Sequence, residues 1–362
     1  MPDRYADILV VDLLGGIGDL IMILPVVHAL ARHNPGASLR VLTHEPGADL
    51  IRGDPSVTEV HTPAHGRPGA EREAVARVLA ERRPGLAVTT TRYDGIPDLL
   101  AASGARCVTD LWRRPPPDEP IGLRYLRILH AEGLLGPDDP RDLARPRVRL
   151  NAAELARGRR VLGGCLPAAA HRPPAVLVTG GGMAVKRWPY WSELAAMLSD
   201  RGHPVLVVGE PPGAGSPDVE SPIVRLPVVG LPVVGLPVVG LPVVGLPVVG
   251  LRGLAACFAA VADRGGVVVG GDTGPVRLAA ASGAATVGLF GPTSALRYGI
   301  GGGVDLQGLP DCPHRLPTAI TEQPCWWTAR CPLAPGGRPA CMADIPARSV
   351  ADAVTRLTTG RR

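Results

Sequence analysis

Lysine is almost missing from this chain: Lys186 is its single lysine, and arginine supplies the rest of the 38 basic residues. Aromatic residues make up 3% of the 362 positions, so Val, Leu and Ala must fill the interior. The net charge is only +5 and the arginines are scattered. No run of them looks like a nucleic-acid patch, and no nucleic-acid partner is expected. The first residues, MPDRYADILVV, place acidic side chains where a signal peptide has its apolar stretch. Seven cysteines are present without one C-x-x-C pair: Cys107, Cys165, Cys257, Cys312, Cys325, Cys331 and Cys341. Reduced thiols and a cytoplasmic location are the expectation.

A membrane-spanning helix is excluded as well. Residues 226–251 carry no charge and are long enough to cross a bilayer. They consist of LPVVG repeated five times over 226–250, and a proline at every fifth position breaks helix hydrogen bonds. Removing four copies leaves SPIVRLPVVGLRGLAACFAAVADRGGVVVGGDTGP, an ordinary strand, turn, helix and strand. One copy is therefore expected in the fold, and the others as a protruding loop or irregular β-structure.

What is present is a globular composition, 46% hydrophobic and 20% charged, and a length that suggests two domains at roughly 100–200 residues each. Strand and helix patterns alternate. Ile8–Leu13, Ser38–Thr43 and Leu86–Thr90 read as strands of a buried parallel sheet. Helices are expected over Ile21–Arg32, with Pro25 in the first turns, over Ala70–Arg82, and over Asn151–Leu162 with Asn151 as N-cap. A second series has strands at Ala175–Thr179, Val205–Val208, Val267–Val269 and Thr286–Phe290. Its helices are Trp191–Arg201, Leu254–Ala262, Val276–Ser282 and a terminal Ala347–Leu357. The expected fold class is α/β: two Rossmann-like doubly wound domains facing a central cleft. The expected boundaries are 1–168 for the first domain and 169–345 for the second, with 346–362 as a helix and tail.

Three loops can carry chemistry. Gly15-Gly16-Ile17-Gly18-Asp19 joins the first strand to the first helix. Gly16 and Gly18 let a ligand approach the backbone at a helix N-terminus, and Asp19 adds a carboxylate there. A dinucleotide fingerprint needs a third glycine where Ile21 stands, so an oxidoreductase reading is disfavoured. Lys186-Arg187 precedes a helix and forms a candidate anion site. Gly270-Gly271-Asp272-Thr273-Gly274-Pro275 offers backbone N–H groups, a hydroxyl and a carboxylate at a strand end. Leu289-Phe290-Gly291-Pro292-Thr293 follows one βα unit later.

GGIGDLIMILPVVHAL, KRWPYWSELAAML, GDTGPVRLAAASG and LFGPT stand in the order and at spacings compatible with glycosyltransferase family 9, the group of ADP-heptose:lipopolysaccharide heptosyltransferases, which this chain resembles from Ile8 to about Val354. The resemblance implies a GT-B fold, with the acceptor domain at 1–168 and the donor domain at 169–345, and inverting, metal-independent sugar transfer from a nucleotide-sugar donor to an acceptor hydroxyl, with the donor as substrate and no cofactor. It implies Asp19 as catalytic base, Lys186 at the donor phosphates, Asp272 near the sugar, and Thr273, Gly274 and Pro275 as the phosphate turn. Thr179, Gly291, Pro292 and Thr293 join the donor site, Gly16 and Gly18 the acceptor-side loop, and Glu210 is a candidate for a ribose hydroxyl.

The chain departs from the family pattern at Arg277, where His is common; an added phosphate contact is one reading of it. Cys312, Cys325, Cys331 and Cys341 are spaced poorly for a zinc ribbon, and buried thiols are preferred over a structural metal. Trp326 and Trp327 are expected to pack over this tail. The partners implied are a nucleotide-sugar donor and a glycan or small-molecule acceptor, with room for peripheral membrane contact. The alternative reading is a non-catalytic nucleotide-sugar-binding or regulatory protein on the same fold.

Overall fold

The structure is a computed structural model that describes residues 4–64, 66–136, 144–167, 171–180, 183–209, 243–246, 250–334 and 337–359. Its contacts divide it into two compact units, Met1–Arg149 and Leu150–Arg362.

The first unit is built on five parallel strands: β1 (Asp7–Asp12), β2 (Ser38–Thr43), β3 (Glu59–His61), β4 (Leu86–Thr89) and β5 (Arg106–Val108). They lie in the order β3-β2-β1-β4-β5. Residues of β1, β2 and β4 are buried almost throughout, as strands covered on both faces must be. The covering helices are α1 (Ile17–His33), α2 (Ala48–Ile51), α3 (Ala70–Glu81), α4 (Ile96–Ala102) and α5 (Ile121–Ala131). Strand order reverses between β1 and β4, which pair in parallel from Ile8↔Leu86 to Val11↔Thr89. The loops leaving these strands open side by side, where ligands of such sheets bind.

Helix α1 starts four residues earlier than the sequence suggests. Gly16 has extended backbone as its N-cap (φ −97°, ψ 144°), so the turn closes at once. Asp19 then falls in the first helical turn, where its charge meets the positive end of the helix dipole. Pro25 moves from the first turns into the helix interior.

The second unit opens with α6 (Ala152–Cys165), followed by β6 (Ala175–Val178), α7 (Trp191–Asp200) and β7 (Val205–Val208). Next come β8 (Val243–Gly245), α8 (Gly250–Asp263), β9 (Val267–Gly271), α9 (Gly274–Ala281) and β10 (Ala285–Phe290). The unit ends with α10 (Ala295–Tyr298), β11 (Gly303–Gln307), α11 (Ala340–Ala343) and α12 (Ala347–Thr359). Its six parallel strands are ordered β11-β10-β9-β6-β7-β8. Counted from β6 this is the doubly wound nucleotide-binding order, with its switch point between β6 and β9.

The division between units falls before α6 rather than after residue 168. Asn151 caps α6 as expected: its Oδ1 accepts from the Glu154 N–H at 2.9 Å, and the Glu154 carboxylate accepts from the Asn151 N–H at 2.8 Å. The same Glu154 binds the Arg252 guanidinium of α8 at 2.8 Å. Gly158 meets the Ala256 carbonyl of α8 so closely that no Cβ would fit. These contacts hold α6 to the second unit. Helix α12 belongs there too, since Val350, Ala351 and Val354 share a core with Leu194 and Leu198 of α7.

One LPVVG copy was expected in the fold, and parts of two are found. The fourth supplies β8, which pairs with β7 from Val205↔Val243 to Val207↔Gly245. The fifth supplies the buried Leu246 and, with Gly250 at φ +73°, the start of α8. The first three copies lie outside the described residues. No described helix is long and apolar enough to cross a membrane.

Two predictions test this packing. Deleting three LPVVG copies leaves the same sequence whichever three are removed, and even halving a loop changes its closure free energy by only about 0.6 kcal/mol. The melting temperature is expected to stay within about 2–4 °C of the parent; a larger fall would show that those copies pack. In α6, Gly158→Ala is expected to cost about 1–3 kcal/mol in urea unfolding by overpacking against Ala256. Gly163→Ala, where nothing lies within 4 Å of an added Cβ, should be neutral or stabilising by up to about 1 kcal/mol.

Candidate active site

In the first unit the candidate residues gather at the β1/β4 switch point. Gly15 has φ +98°, a conformation that needs glycine. A Cβ on Gly16 would stand 2.7 Å from Asp19 Oδ2, so the missing side chain lets the carboxylate fold back over the loop. Gly18 lies inside the first turn of α1.

Beneath this loop lies a carboxyl that the sequence reading passed over. Asp12 ends β1 and is 2% exposed. Its Oδ1 lies 2.6 Å from Thr90 Oγ1. Three successive threonines clamp the two strand ends together. Thr89 donates to the Val11 carbonyl at 2.8 Å, Thr90 meets Asp12, and Thr91 Oγ1 accepts from the Leu13 N–H at 3.0 Å. The Tyr93 hydroxyl donates to the Leu13 carbonyl at 2.5 Å. Burial pushes the Asp12 carboxyl up, and the charge of Asp19 adds to this. The Thr90 hydrogen bond opposes both, leaving Asp12 at about 7.

In the second unit the ends of β6, β9 and β10 bring the other candidates together. Lys186 follows β6 on a short 3₁₀ turn. Its Nζ donates to Asp272 Oδ2 at 2.9 Å and to the Asp272 carbonyl at 3.0 Å. Lys186 Nζ also lies 5.3 Å from the centre of the Trp326 ring, within cation–π range. Thr293, after β10, donates its hydroxyl to Asp272 Oδ2 at 3.0 Å. Arg277, one turn into α9, donates to Asp272 Oδ1 and, at 2.5 Å, to the Tyr298 carbonyl. Its Nη2 is thus held by two internal partners, and the side chain is buried and turned towards Asp272, an arrangement that the sequence reading of Arg277 as an added phosphate contact did not foresee. Burial alone pushes the Asp272 carboxyl up. Lys186 and Arg277 outweigh it and hold the group well below the usual carboxylate range.

Thr273 is the N-cap of α9, and Pro275 stands in the first turn, where its missing N–H costs nothing. The Thr273 hydroxyl oxygen is buried and has no hydrogen-bond partner among the described residues. Thr179 extends β6, its N–H donating to the Val208 carbonyl at 3.2 Å. Glu210 lies outside the described residues.

Gly291 and Pro292 form the turn after β10. A Cβ on Gly291 would collide with Met342 and reach 3.0 Å from Cys341 Sγ. Arg315 donates from Nε at 3.0 Å and Nη2 at 2.8 Å to the Gly291 carbonyl. The cysteine-bearing tail therefore backs the turn after β10, a role that sequence reasoning missed. Trp326 packs with Val185 and Cys325, whereas Trp327, expected to pack likewise, is 73% exposed. Cys325, Cys331 and Cys341 are buried free thiols and Cys312 is a half-buried one. Among the described residues no group of three or more His, Cys, Asp or Glu side chains is placed to hold a metal ion.

The two parallel-sheet α/β units, each with polar groups at a sheet switch point, have the fold of the GT-B class. A profile of glycosyltransferase family 9 (heptosyltransferase) matches residues 109–303. The chain belongs to this family of sugar-transferring enzymes. Among solved structures it is similar to the family 9 glycosyl transferase from Veillonella parvula, at 15% identity over 99% of each chain with a TM-score of 0.70. It is also similar to Escherichia coli ADP-heptose LPS heptosyltransferase II, at 17% identity over 98% of this chain and 99% of that one, TM-score 0.62. A third is E. coli heptosyltransferase WaaC with ADP, at 22% identity over 88% and 98%, TM-score 0.57. No curated protein matches the chain by sequence.

Asp272→Asn would leave Lys186 and Arg277 facing a neutral amide, and breaking a buried ion group from one side costs about 3–5 kcal/mol. The expected result is a loss of that size in denaturant unfolding at pH 7. Because the folded carboxyl is held below its unfolded value of 3.8, its contribution is present above that pH. It is lost as pH falls through the depressed folded value. The variant and parent should therefore converge only in strong acid.

Proposed function

We propose that this chain moves a sugar of the heptose class from an ADP-type nucleotide donor to an acceptor hydroxyl on a glycan or small molecule, with inversion and without a metal. The observation that carries this reading is the cluster at the β6/β9 switch point. A lysine ammonium, the N-terminus of an eight-residue helix and the unpartnered Thr273 hydroxyl converge there. This is an anion site of the kind a diphosphate fills.

The chemistry needs two things. The acceptor oxygen must lose its proton as it attacks the anomeric carbon from the face opposite the diphosphate. The diphosphate must leave with the electron pair of the broken carbon–oxygen bond. Asp19 supplies the base for the first step. Lys186, the α9 N-terminus and the Thr273 hydroxyl neutralise the leaving charge in the second, the work a divalent cation does elsewhere. Asp272 holds Lys186 in place, and Thr293 holds Asp272. Thr179, Gly274, Pro275, Gly291 and Pro292 shape the donor loops, and Gly16 and Gly18 give the acceptor side its open backbone. The free state of all seven cysteines fits a reducing, cytoplasmic setting.

A thermal-shift panel of ADP-, GDP-, UDP- and dTDP-sugars tests the donor. At 100 times Kd the preferred donor stabilises by about 2.7 kcal/mol, and the ADP-sugar is expected to stand out. Asp19→Asn should keep that shift while turnover falls about 10²–10⁴-fold. Full turnover in this variant would remove Asp19 as base. Donor binding with no turnover by the parent on any acceptor would favour a binding protein.

A further inference from the structure

We propose that Trp326 is a positioning residue of the anion site: the face of its ring holds the Lys186 ammonium beside the N-terminus of α9 without cancelling its charge, so that an incoming diphosphate meets a lysine already oriented. This rests on the reading of the β6/β9 switch point as a diphosphate site and deepens it.

Two of the chain's five tryptophans, Trp326 and Trp327, stand side by side in the sequence, and their surroundings differ. Trp327 is 73% exposed, whereas Trp326 is 7% exposed. Trp326 packs with Cys325 and with Val185, the residue before Lys186, and Met183 and Ile320 lie against the same cluster. Backbone bonds fix both sides of this contact. The Lys186 N–H donates to the Met183 carbonyl at 2.9 Å, and the Trp326 N–H donates to the Gln323 carbonyl at 3.1 Å. The ring is too well covered to stack on a ligand, so it acts on its neighbours. One of them is charged: Lys186 Nζ stands over the ring, 5.3 Å from its centre.

A lysine carries its charge on a flexible four-carbon stem, and holding it in one place takes contacts on more than one side. Asp272 provides one side, through Oδ2 at 2.9 Å and its carbonyl at 3.0 Å. These bonds use two of the three ammonium hydrogens. Among the described residues no acceptor takes the third, which is left for a phosphate oxygen. A second carboxylate would hold the lysine from the other side but would also neutralise it. Asp272 is already shared between Lys186 and Arg277, so two cations against one carboxylate leave the cluster positive. An aromatic face attracts the cation through its quadrupole and brings no charge of its own. Leucine at this position would pack on Val185 and offer the ammonium nothing.

Because Lys186 is the single lysine, ¹³C,¹⁵N-lysine labelling of the full-length protein gives one side-chain signal to follow by NMR. The ring is expected to hold the Lys186 Hε protons upfield of their position in Trp326→Leu. Inorganic pyrophosphate, which carries neither base nor sugar, is expected to perturb that signal. It should bind about 3–30-fold more weakly to Trp326→Leu than to the parent, while Trp326→Phe keeps most of the affinity. A polyfluorinated tryptophan introduced at position 326 alone keeps the packing but drains electron density from the ring face, and should weaken pyrophosphate as well. Equal affinity in the parent, the leucine variant and the fluorinated protein would overturn the proposal. So would a lysine signal that does not move in Trp326→Leu, or an equal loss of affinity in Trp327→Leu. A parent whose lysine signal ignores pyrophosphate would remove the diphosphate site itself, a failure distinct from loss of the ring's role alone. If Trp326→Leu does not fold, the fluorinated protein decides.

Discussion

The second unit turns on one carboxylate. Asp272 accepts from a lysine beyond β6, an arginine on α9 and a threonine beyond β10. These come from three separate segments of the chain. A buried ion cluster is weak support for stability when compared with apolar packing of the same volume. Its value here is geometric. Removing the charge strands two cations; keeping it holds the lysine at the helix N-terminus, where an anion would arrive. The turn that carries Thr293 is tied to the same point, and Gly291 beside it is pinned from behind by Arg315 and the Cys341–Met342 pair. The loops after β6, β9 and β10 are therefore held from both sides before any ligand binds, the preorganisation that the proposed stabilisation of a leaving group requires.

The first unit makes the opposite use of the same chemical group. Asp12 and Asp272 both end a parallel strand or follow one directly, and both are buried. One is held far below its normal range by two cations, and the other is raised by burial and a neighbouring carboxylate. Environment alone separates them. A permanent anion suits a fixed brace.

Much of this was legible in the sequence, and the reasons are physical. Central parallel strands are apolar on both faces, so β1, β2, β4, β6, β7 and β10 announce themselves as runs. The three-residue strands β3 and β5 sit at the edges, partly exposed, and left no such mark. Glycine-rich strand ends pointed to the loops at both switch points. What spacing cannot supply is the sheet order. Lys186 and Asp272 are far apart in sequence, and only the placing of β9 beside β6 brings them to 2.9 Å. Arg277 looked like a ligand contact because a helix start is normally solvated; here its side chain is drawn inward by Asp272. Asp12 was hidden inside a hydrophobic run, although a lone acid among Ile, Leu and Val was the available signal. The boundary was misplaced because α6 follows the first domain in sequence but finds its apolar partner in α8.

The LPVVG array shows how a repeat can enter such a fold without breaking it. Among the described residues β8 is an edge strand, paired on one side only, and needs just a short extended segment with the right alternation. Every copy of the pentapeptide offers the same segment. Because a shift by one whole copy presents identical residues to β7, the number of copies can change while the strand's sequence against its neighbour does not. The constraint acts further on, where Gly250 turns the chain into α8 and the apolar face of that helix begins. The array is therefore anchored at its C-terminal end.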